Sequence, residues 1–373
     1  MSIATVTLSA NTSWYLFNFR RSTIVRLLAD GYRVVCLSPQ DSYSARLETE
    51  LGCQWLPLEM DNKGSNPWRD ARLFWQFIRF YKKIRPVAAF HFTIKNNIYG
   101  TWAARLLGIA AINNVSGLGT AFIRSGVVAK IVRILYKTSQ PLAHRVFCQN
   151  EEDYQLLVEQ KLVPVSRLTL LPGSGVDLQR FHPGLKQSHG SSFRFLYAGR
   201  MLADKGLYEL IAAFTAVYAE REDCALWLCG FCDAQNVSAI AETRLQAWAK
   251  LPGVTWLGAT DNMEHIYAQV DAVVLPSYRE GMPRSLLEAG AMGLPVIATN
   301  VPGCRNLVEH GYNGLLCEPK DSNSLQAALQ RLLAMPENER KRLGDNGRRL
   351  VERAYSEDLV VEAAIKALPD AAV

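Results

Sequence analysis

A chain of 373 residues is long for one core and comfortable for two domains of ordinary size. Its composition, 49% hydrophobic and 20% charged with no low-complexity tract, is that of a soluble globular protein and excludes a disordered or fibrous one. No run approaches the roughly 18 uninterrupted apolar residues of a membrane span, and the net charge of +6 is unevenly spread.

The N-terminal stretch "MSIATVTLSANTSWYLFNFRR" has no charged region before its apolar run, so it does not read as a signal peptide. A cytoplasmic protein is expected. "IATVTLSA" reads as a strand; a helical pattern follows through Leu28, Gly31 ends it, and "YRVVCLSP" reads as the next strand. "VAAFHFT" (87–93), "AAINNVS" (110–116) and "HRVFCQN" (144–150) continue the series. In the second half "FRFLYAGR" (193–200), "CALWLCG" (224–230), "VTWLG" (254–258), "DAVVLPS" (271–277) and "LPVIATN" (294–300) repeat it.

Strands that alternate with amphipathic stretches imply parallel sheets covered by helices on both faces. The break between halves is expected at the polar Pro/Gly/Ser stretch 182–192. This gives an α/β chain of two doubly wound domains, 1–183 and 192–350, facing across a cleft. The terminal segment 351–373 is expected to be a helix that packs back on either domain. In such sheets ligands sit outside the carboxyl ends of the strands.

Eight cysteines lie mostly inside apolar runs and read as buried small residues of a reducing compartment. Cys229 and Cys232 form one CxxC, but no second pair at metal spacing follows, so no metal is expected.

Chemistry concentrates in "REGMPRSLLEAGAMGLP" (279–295). The strand "DAVVLPS" ends, a loop runs to Met282, and Pro283 suits the first position of a helix. Glu280 then lies at a strand's carboxyl end, and the N–H groups of Arg284 and Ser285 point outward with the positive end of the helix dipole. Such an end binds anions, phosphate above all. Glu288 lies about 7.5 Å along the axis from Pro283 and leans back toward the N-terminus. Carboxylates accept well from sugar hydroxyls, so the arrangement suits a nucleotide sugar. The competing reading is two surface charges flanking a Pro-started helix. A second constellation adds weight: Arg200 ends another strand and Lys205 follows in the next loop, a pair suited to a diphosphate.

These residues carry a resemblance. From "YAGRMLADKGLYELIAAF" through "VTWLGATDNMEHIYAQVDAVVLPSYREGMPRSLLEAGAMGLPVIATNVPGCRNLVEHGYNGLLCEP", residues 193–319 resemble the donor half of glycosyltransferase family 4, the retaining enzymes of the GT-B fold. The N-terminal half resembles a subgroup acting on undecaprenyl-diphosphate-linked sugars in O-antigen and capsule synthesis. Bacillosaminyl-diphospho-undecaprenol N-acetylgalactosaminyltransferases are among that subgroup. The resemblance implies that Glu280 meets the transferred hexose, Glu288 the ribose hydroxyls, and Arg200 with Lys205 the diphosphate. Backbone groups from Gly281, Met282, Pro283, Arg284 and Ser285 would line the phosphates. Gly199, Gly230 and Gly258 would shape the donor site, with the loop after Leu257 at the base. The short acidic DxD motif of metal-dependent glycosyltransferases occurs nowhere in the chain, and no cofactor is implied. One departure stands out. Many members carry a His-Gly pair where this chain has Ser116-Gly117; two readings stand for His91, one strand earlier: it faces the cleft beside Lys95 in its stead as a catalytic residue, or it is structural, as strand-end histidines more often are. Acceptor contacts are expected from Asn11, Thr12, Ser13, Arg20, Lys95, Asn97 and Ser116.

Residues 1–170 carry 21 Lys/Arg against 11 Asp/Glu, whereas residues 171–373 carry 20 against 24. Between Ala71 and Asn150 there are twelve Lys/Arg and no acid. A basic half faces an anionic partner. In "NPWRDARLFWQFIRFYKKIRP" (66–86), Leu73, Phe74, Phe77, Ile78 and Tyr81 form one stripe, while Trp68, Trp75 and Phe80 widen the apolar arc. With "RSGVVAKIVRILYKTSQPLAHR" (124–145) the pattern fits a surface lying on anionic lipid at the inner face of the plasma membrane. No nucleic-acid-binding motif occurs. The expected activity is retaining transfer of a sugar, an N-acetylhexosamine by resemblance, from a UDP-sugar to a polyprenyl-diphosphate-linked saccharide. A nucleotide-sugar 2-epimerase and a catalytically idle sugar-nucleotide-binding subunit are the other readings.

Overall fold

A computed structural model of the protein describes residues 3–61, 66–116, 127–188, 190, 192–232 and 236–369. The apolar runs become parallel strands in two separate sheets. The first holds β1 (Thr5–Ser9), β2 (Arg33–Ser38), β3 (Gln54–Pro57), β4 (Ala88–Phe92), β5 (Ala110–Val115), β6 (Arg145–Cys148) and β7 (Leu168–Leu170). Their order is β3-β2-β1-β4-β5-β6-β7. The second holds β8 (Phe193–Ala198), β9 (Cys224–Cys229), β10 (Val254–Gly258), β11 (Ala272–Leu275), β12 (Val296–Thr299) and β13 (Gly314–Cys317). Here the order is β10-β9-β8-β11-β12-β13.

Both sheets start in the middle and wind outward in two directions. The order reverses between β1 and β4 in the first and between β8 and β11 in the second. At such a switch point the connections leave on opposite sides and open a crevice at the strands' carboxyl ends. β1, β4 and β11 are buried along their whole length, which fits strands covered by helices on both faces.

Two compact units result, one of Met1–Ser174 with Glu357–Val373 and the other of Gly175–Ser356. The polar stretch 182–192 lies within the second unit. Val176 and Phe181 are already buried in that unit's core, and Val176 N donates to Tyr355 O at 3.0 Å. A Pro/Gly/Ser composition suits a surface turn as well as a linker, so it does not by itself mark a boundary. The last helix, Glu357–Lys366, packs on the first unit. Val360 and Ala364 join the core under β1 and β4, and Arg26 Nη1 meets Glu362 Oε1 at 2.7 Å.

The helix Pro67–Ile84 starts on an Asn66 cap with Pro67 in its first turn and buries Leu73, Phe77, Ile78 and Tyr81. Phe74 and Phe80 are half-buried, while Trp68 and Trp75 are 85% and 66% exposed. The second basic helix, Val127–Ser139, exposes Ile131 and Ile134. Among the described residues no helix is long and apolar enough to cross a membrane.

Candidate functional site

The site grows from the loops that leave β8 and β11 at the second sheet's switch point. After β8 come Gly199, the exposed Arg200, and a 3-10 turn at Ala203–Lys205. Gly206 then takes a left-handed conformation, φ 71°, in which a Cβ would collide with Pro276 O. Only glycine lets the two loops approach this closely. Tyr278 N donates to Asp204 O at 3.0 Å and Tyr278 OH to Glu209 Oε1 at 2.7 Å. The loops are thereby tied together.

Across this junction Lys205 Nζ meets Glu280 Oε1 at 2.6 Å, and Ser277 Oγ donates to the same oxygen at 2.6 Å. Both charged side chains are largely screened from solvent, at 17% and 14% exposure. The helix Arg284–Ala291 begins just beyond, with Pro283 as its cap residue and no side chain bonding its first turn. Arg284 Nε holds Glu288 Oε1 at 2.8 Å. Burial and the Glu288 charge together push the Cys229 thiol up to about 11, which places Glu288 toward the end of β9.

The three glycines expected at the donor site meet here as well. Gly199 N donates to Cys229 O at 3.0 Å, Gly230 N to Gly258 O at 2.8 Å, and Trp256 Nε1 to Gly230 O at 3.3 Å. Gly281 and Met282 are half-buried beside them, and Met282 packs on the unit's core. The twelve expected donor residues thus share the carboxyl edge of one sheet. Two acids hold two cations at this edge, Glu280 with Lys205 and Glu288 with Arg284. Among the described residues no cluster of three metal-ligating side chains occurs. Cys229 Sγ lies 3.5 Å from Gly258 O and from Met263 Sδ, within the strand-end packing.

The first unit corrects several expectations. His91 does not face outward beside Lys95. It is 0% exposed, with Nε2 2.7 Å from Tyr81 OH and Nδ1 2.8 Å from Asn113 Oδ1. An amide oxygen only accepts, so Nδ1 carries the proton and Nε2 accepts from the phenol. Burial pulls the His91 pKa down to about 4, so the ring is neutral and both nitrogens are engaged. It is a core residue because β4, with alternating faces, turns it inward under the helix Pro67–Ile84. Ser13 is likewise buried, its Oγ 2.7 Å from Ser38 Oγ and 2.8 Å from Ser44 Oγ. Asn97 is buried and donates through Nδ2 to Asn114 O at 3.0 Å. Neither side chain is placed to touch an acceptor.

Thr12 caps the helix Ser13–Ala29 by accepting from Tyr15 N at 3.0 Å, and Asn11 is half-buried next to it. Lys95 Nζ holds Asp70 Oδ1 at 2.6 Å, with Tyr99 OH on the other oxygen at 2.9 Å. Arg20 is buried, and its Nη2 donates to Tyr15 OH at 3.1 Å; Tyr15 OH in turn lies 2.9 Å from Ser116 Oγ. Gly117 of the Ser116-Gly117 pair lies in 117–126, outside the described residues.

Comparison with known proteins bears on this geometry. Residues 184–350 match the family of glycosyl transferases group 1. Over 88% of either chain the protein is 27% identical to the N,N'-diacetylbacillosaminyl-diphospho-undecaprenol alpha-1,3-N-acetylgalactosaminyltransferase of Campylobacter jejuni. Over 64% of either chain it is 29% identical to the UDP-Gal:alpha-D-GlcNAc-diphosphoundecaprenol alpha-1,3-galactosyltransferase of Escherichia coli. Among solved structures, Anabaena HepE in complex with UDP and glucose superposes with a TM-score of 0.78 at 15% identity, covering 98% of this chain and 99% of that one. Sucrose-phosphate synthase from Thermosynechococcus elongatus superposes with a TM-score of 0.77 at 20% identity, covering 97% and 98%. At these identities the superpositions speak for the fold. Residues 184–350 thus form a glycosyl transferases group 1 domain, and the two Rossmann-like units give the chain the GT-B fold.

Proposed function

We propose that the protein is a retaining, metal-independent glycosyltransferase of family 4. In this reading it moves a sugar, an N-acetylhexosamine, from a UDP-sugar to a polyprenyl-diphosphate-linked saccharide in bacterial surface-glycan synthesis. The observation that carries the reading is the paired ion bridge at the β8–β11 switch point, Lys205–Glu280 and Arg284–Glu288, beside the exposed Arg200. The activities of the Campylobacter and Escherichia relatives support a lipid-diphosphate acceptor.

The chemistry follows from the residues. The acceptor hydroxyl oxygen forms a bond to the sugar's C1 while the C1–O bond to the diphosphate breaks. The departing diphosphate takes the acceptor's proton. Arg200 and Lys205 stabilise the charge that grows on the leaving group, Glu280 orients the hexose, and Glu288 holds the ribose. Retention with no obvious protein nucleophile implies front-face attack. The basic helices Pro67–Ile84 and Val127–Ser139 hold the first unit against anionic lipid at the inner face of the plasma membrane, through cations that flank Trp68, Trp75, Ile131 and Ile134.

Incubation of the protein with bacterial lipid extract and a panel of radiolabelled UDP-sugars tests the reading. One labelled sugar should enter the organic phase as an acid-labile lipid product, with EDTA present, and its new linkage should be α. An epimerised nucleotide sugar formed without lipid, or UDP binding with no transfer to any acceptor, would contradict it.

A further inference from the structure

The first sheet has a switch point of its own, between β1 and β4, and the residues around it form a chain of contacts that ends at a pair of hydroxyls. Arg20 is 2% exposed, with its guanidinium stacked 4.4 Å from the Phe92 ring centroid at the end of β4. Its Nε has no partner, and no carboxylate among the described residues pairs with it. The segment 117–126, which follows Ser116, contains no Asp or Glu. A buried cation without a counter-ion is costly, and proteins retain one where an anion completes it.

The charge has one outlet. Arg20 Nη2 donates to Tyr15 OH at 3.1 Å, and Tyr15 OH lies 2.9 Å from Ser116 Oγ. Tyr15 is held on three sides: its ring lies 5.0 Å from Phe19 and 5.9 Å from Phe92, and its backbone N donates to Thr12 Oγ1. Tyr15 and Ser116 are both half-buried, and the hydrogen bond between their hydroxyls is only partly buried. Accepting from a guanidinium polarises the phenol and strengthens its O–H as a donor. At the same strand end Thr93, a β-branched residue, adopts φ 75°. Strain of that kind collects at ligand-binding sites.

We propose that the hydroxyls of Tyr15 and Ser116, backed by the buried Arg20, bind a phosphate oxygen of the acceptor's polyprenyl diphosphate. Tyr15 and Ser116 make the contact, and Arg20 is a positioning residue that acts through Tyr15. The donor's diphosphate already has Arg200 and Lys205 at the other sheet. The acceptor's diphosphate is the remaining anion that the reaction brings. This assignment rests on the transferase reading above, which is what names the phosphate's carrier.

The test uses the full chain saturated with UDP, so that the second sheet's cations are occupied. Geranylgeranyl diphosphate and geranylgeraniol are titrated in detergent against wild type, Tyr15→Phe and Ser116→Ala. The wild type should prefer the diphosphate to the alcohol. Each variant should lose about 10-fold or more of the diphosphate affinity, as for a hydrogen bond to a charged group, and keep the alcohol affinity, the UDP affinity and the Tm. In transfer assays the KM for lipid acceptor should rise with kcat at saturation unchanged. Equal affinity of wild type and both variants for the diphosphate would overturn the proposal, as would an alcohol that binds as tightly as the diphosphate. The two failures can be told apart. A wild type that binds the diphosphate through Tyr15 but transfers no sugar contradicts the transferase reading, whereas active variants with unchanged acceptor KM contradict this site alone.

Discussion

Lys205 and Glu280 illustrate what a single residue does here. Each compensates the other at 2.6 Å, largely screened from solvent. Arg200→Ala or Lys205→Ala should lower kcat by roughly 10²-fold through lost leaving-group stabilisation, which steady-state transfer assays read directly. Activity within a factor of about three of wild type in both would remove them from the chemistry. His91 shows the opposite case, a polar residue at a strand end that serves the core. Its pKa falls from 6.5 to about 4 on burial, so between those values the unfolded chain binds the proton and the folded one does not. Stability is therefore full above pH 6.5 and falls as pH drops toward 4, by up to about 1.4 kcal/mol per pH unit from this group. His91→Asn should flatten the Tm–pH curve across that window; parallel curves would show that another group carries the dependence. That His91 points inward was not legible in one sequence, because alternation along β4 gives two faces and both are buried.

At the scale of elements, the long apolar strands and the amphipathic helices announced themselves, and the short ones did not. β3, β7 and β13 escaped: β3 and β7 are edge strands of four and three residues whose burial is partial, and β13 is a four-residue edge. Runs that short carry no period to read. The helix Arg284–Ala291 was legible from Pro283 and from the strand before it, though Pro283 stands at the cap rather than inside the first turn. The basic helices pose a question that burial sharpens. Pro67–Ile84 sinks four residues into the core and leaves Trp68, Trp75 and the cations Arg72, Arg79, Lys82 and Lys83 outside. Arg72 meets Glu59 at 2.9 Å, but both are highly exposed and such a pair holds little. Each cation near an anionic leaflet contributes about 1 kcal/mol within a Debye length. Replacing Arg72, Arg79, Lys82 and Lys83 together with glutamine should release the protein from anionic vesicles in sedimentation, and high salt should mimic the change. A quadruple variant that sediments as wild type would show that this face does not meet lipid.

At the scale of the molecule, charge is unevenly divided along the chain. The Lys/Arg excess lies in residues 1–170, which build the first sheet, while residues 171–373 hold the glycosyl transferases group 1 match with Glu280 and Glu288 and also the last helix, which joins the first unit. The cluster at the ends of β8 and β11 was legible because its landmarks lie close together in sequence, whereas the Arg20–Tyr15–Ser116 chain joins residues 101 positions apart and emerges only when β1 and β5 come to one edge. The claim on which the account stands is that the cluster at the ends of β8 and β11 holds a nucleoside diphosphate without metal. Calorimetric titration of UDP in EDTA into wild type, Glu288→Ala and Glu280→Ala tests it most directly. One UDP should bind per chain. Glu288→Ala should weaken it about 10-fold through the lost ribose contact, while Glu280→Ala should bind UDP as well as or better than wild type because Lys205 is released, although it transfers poorly. No binding by wild type in EDTA, or equal losses in the two variants, would contradict the account.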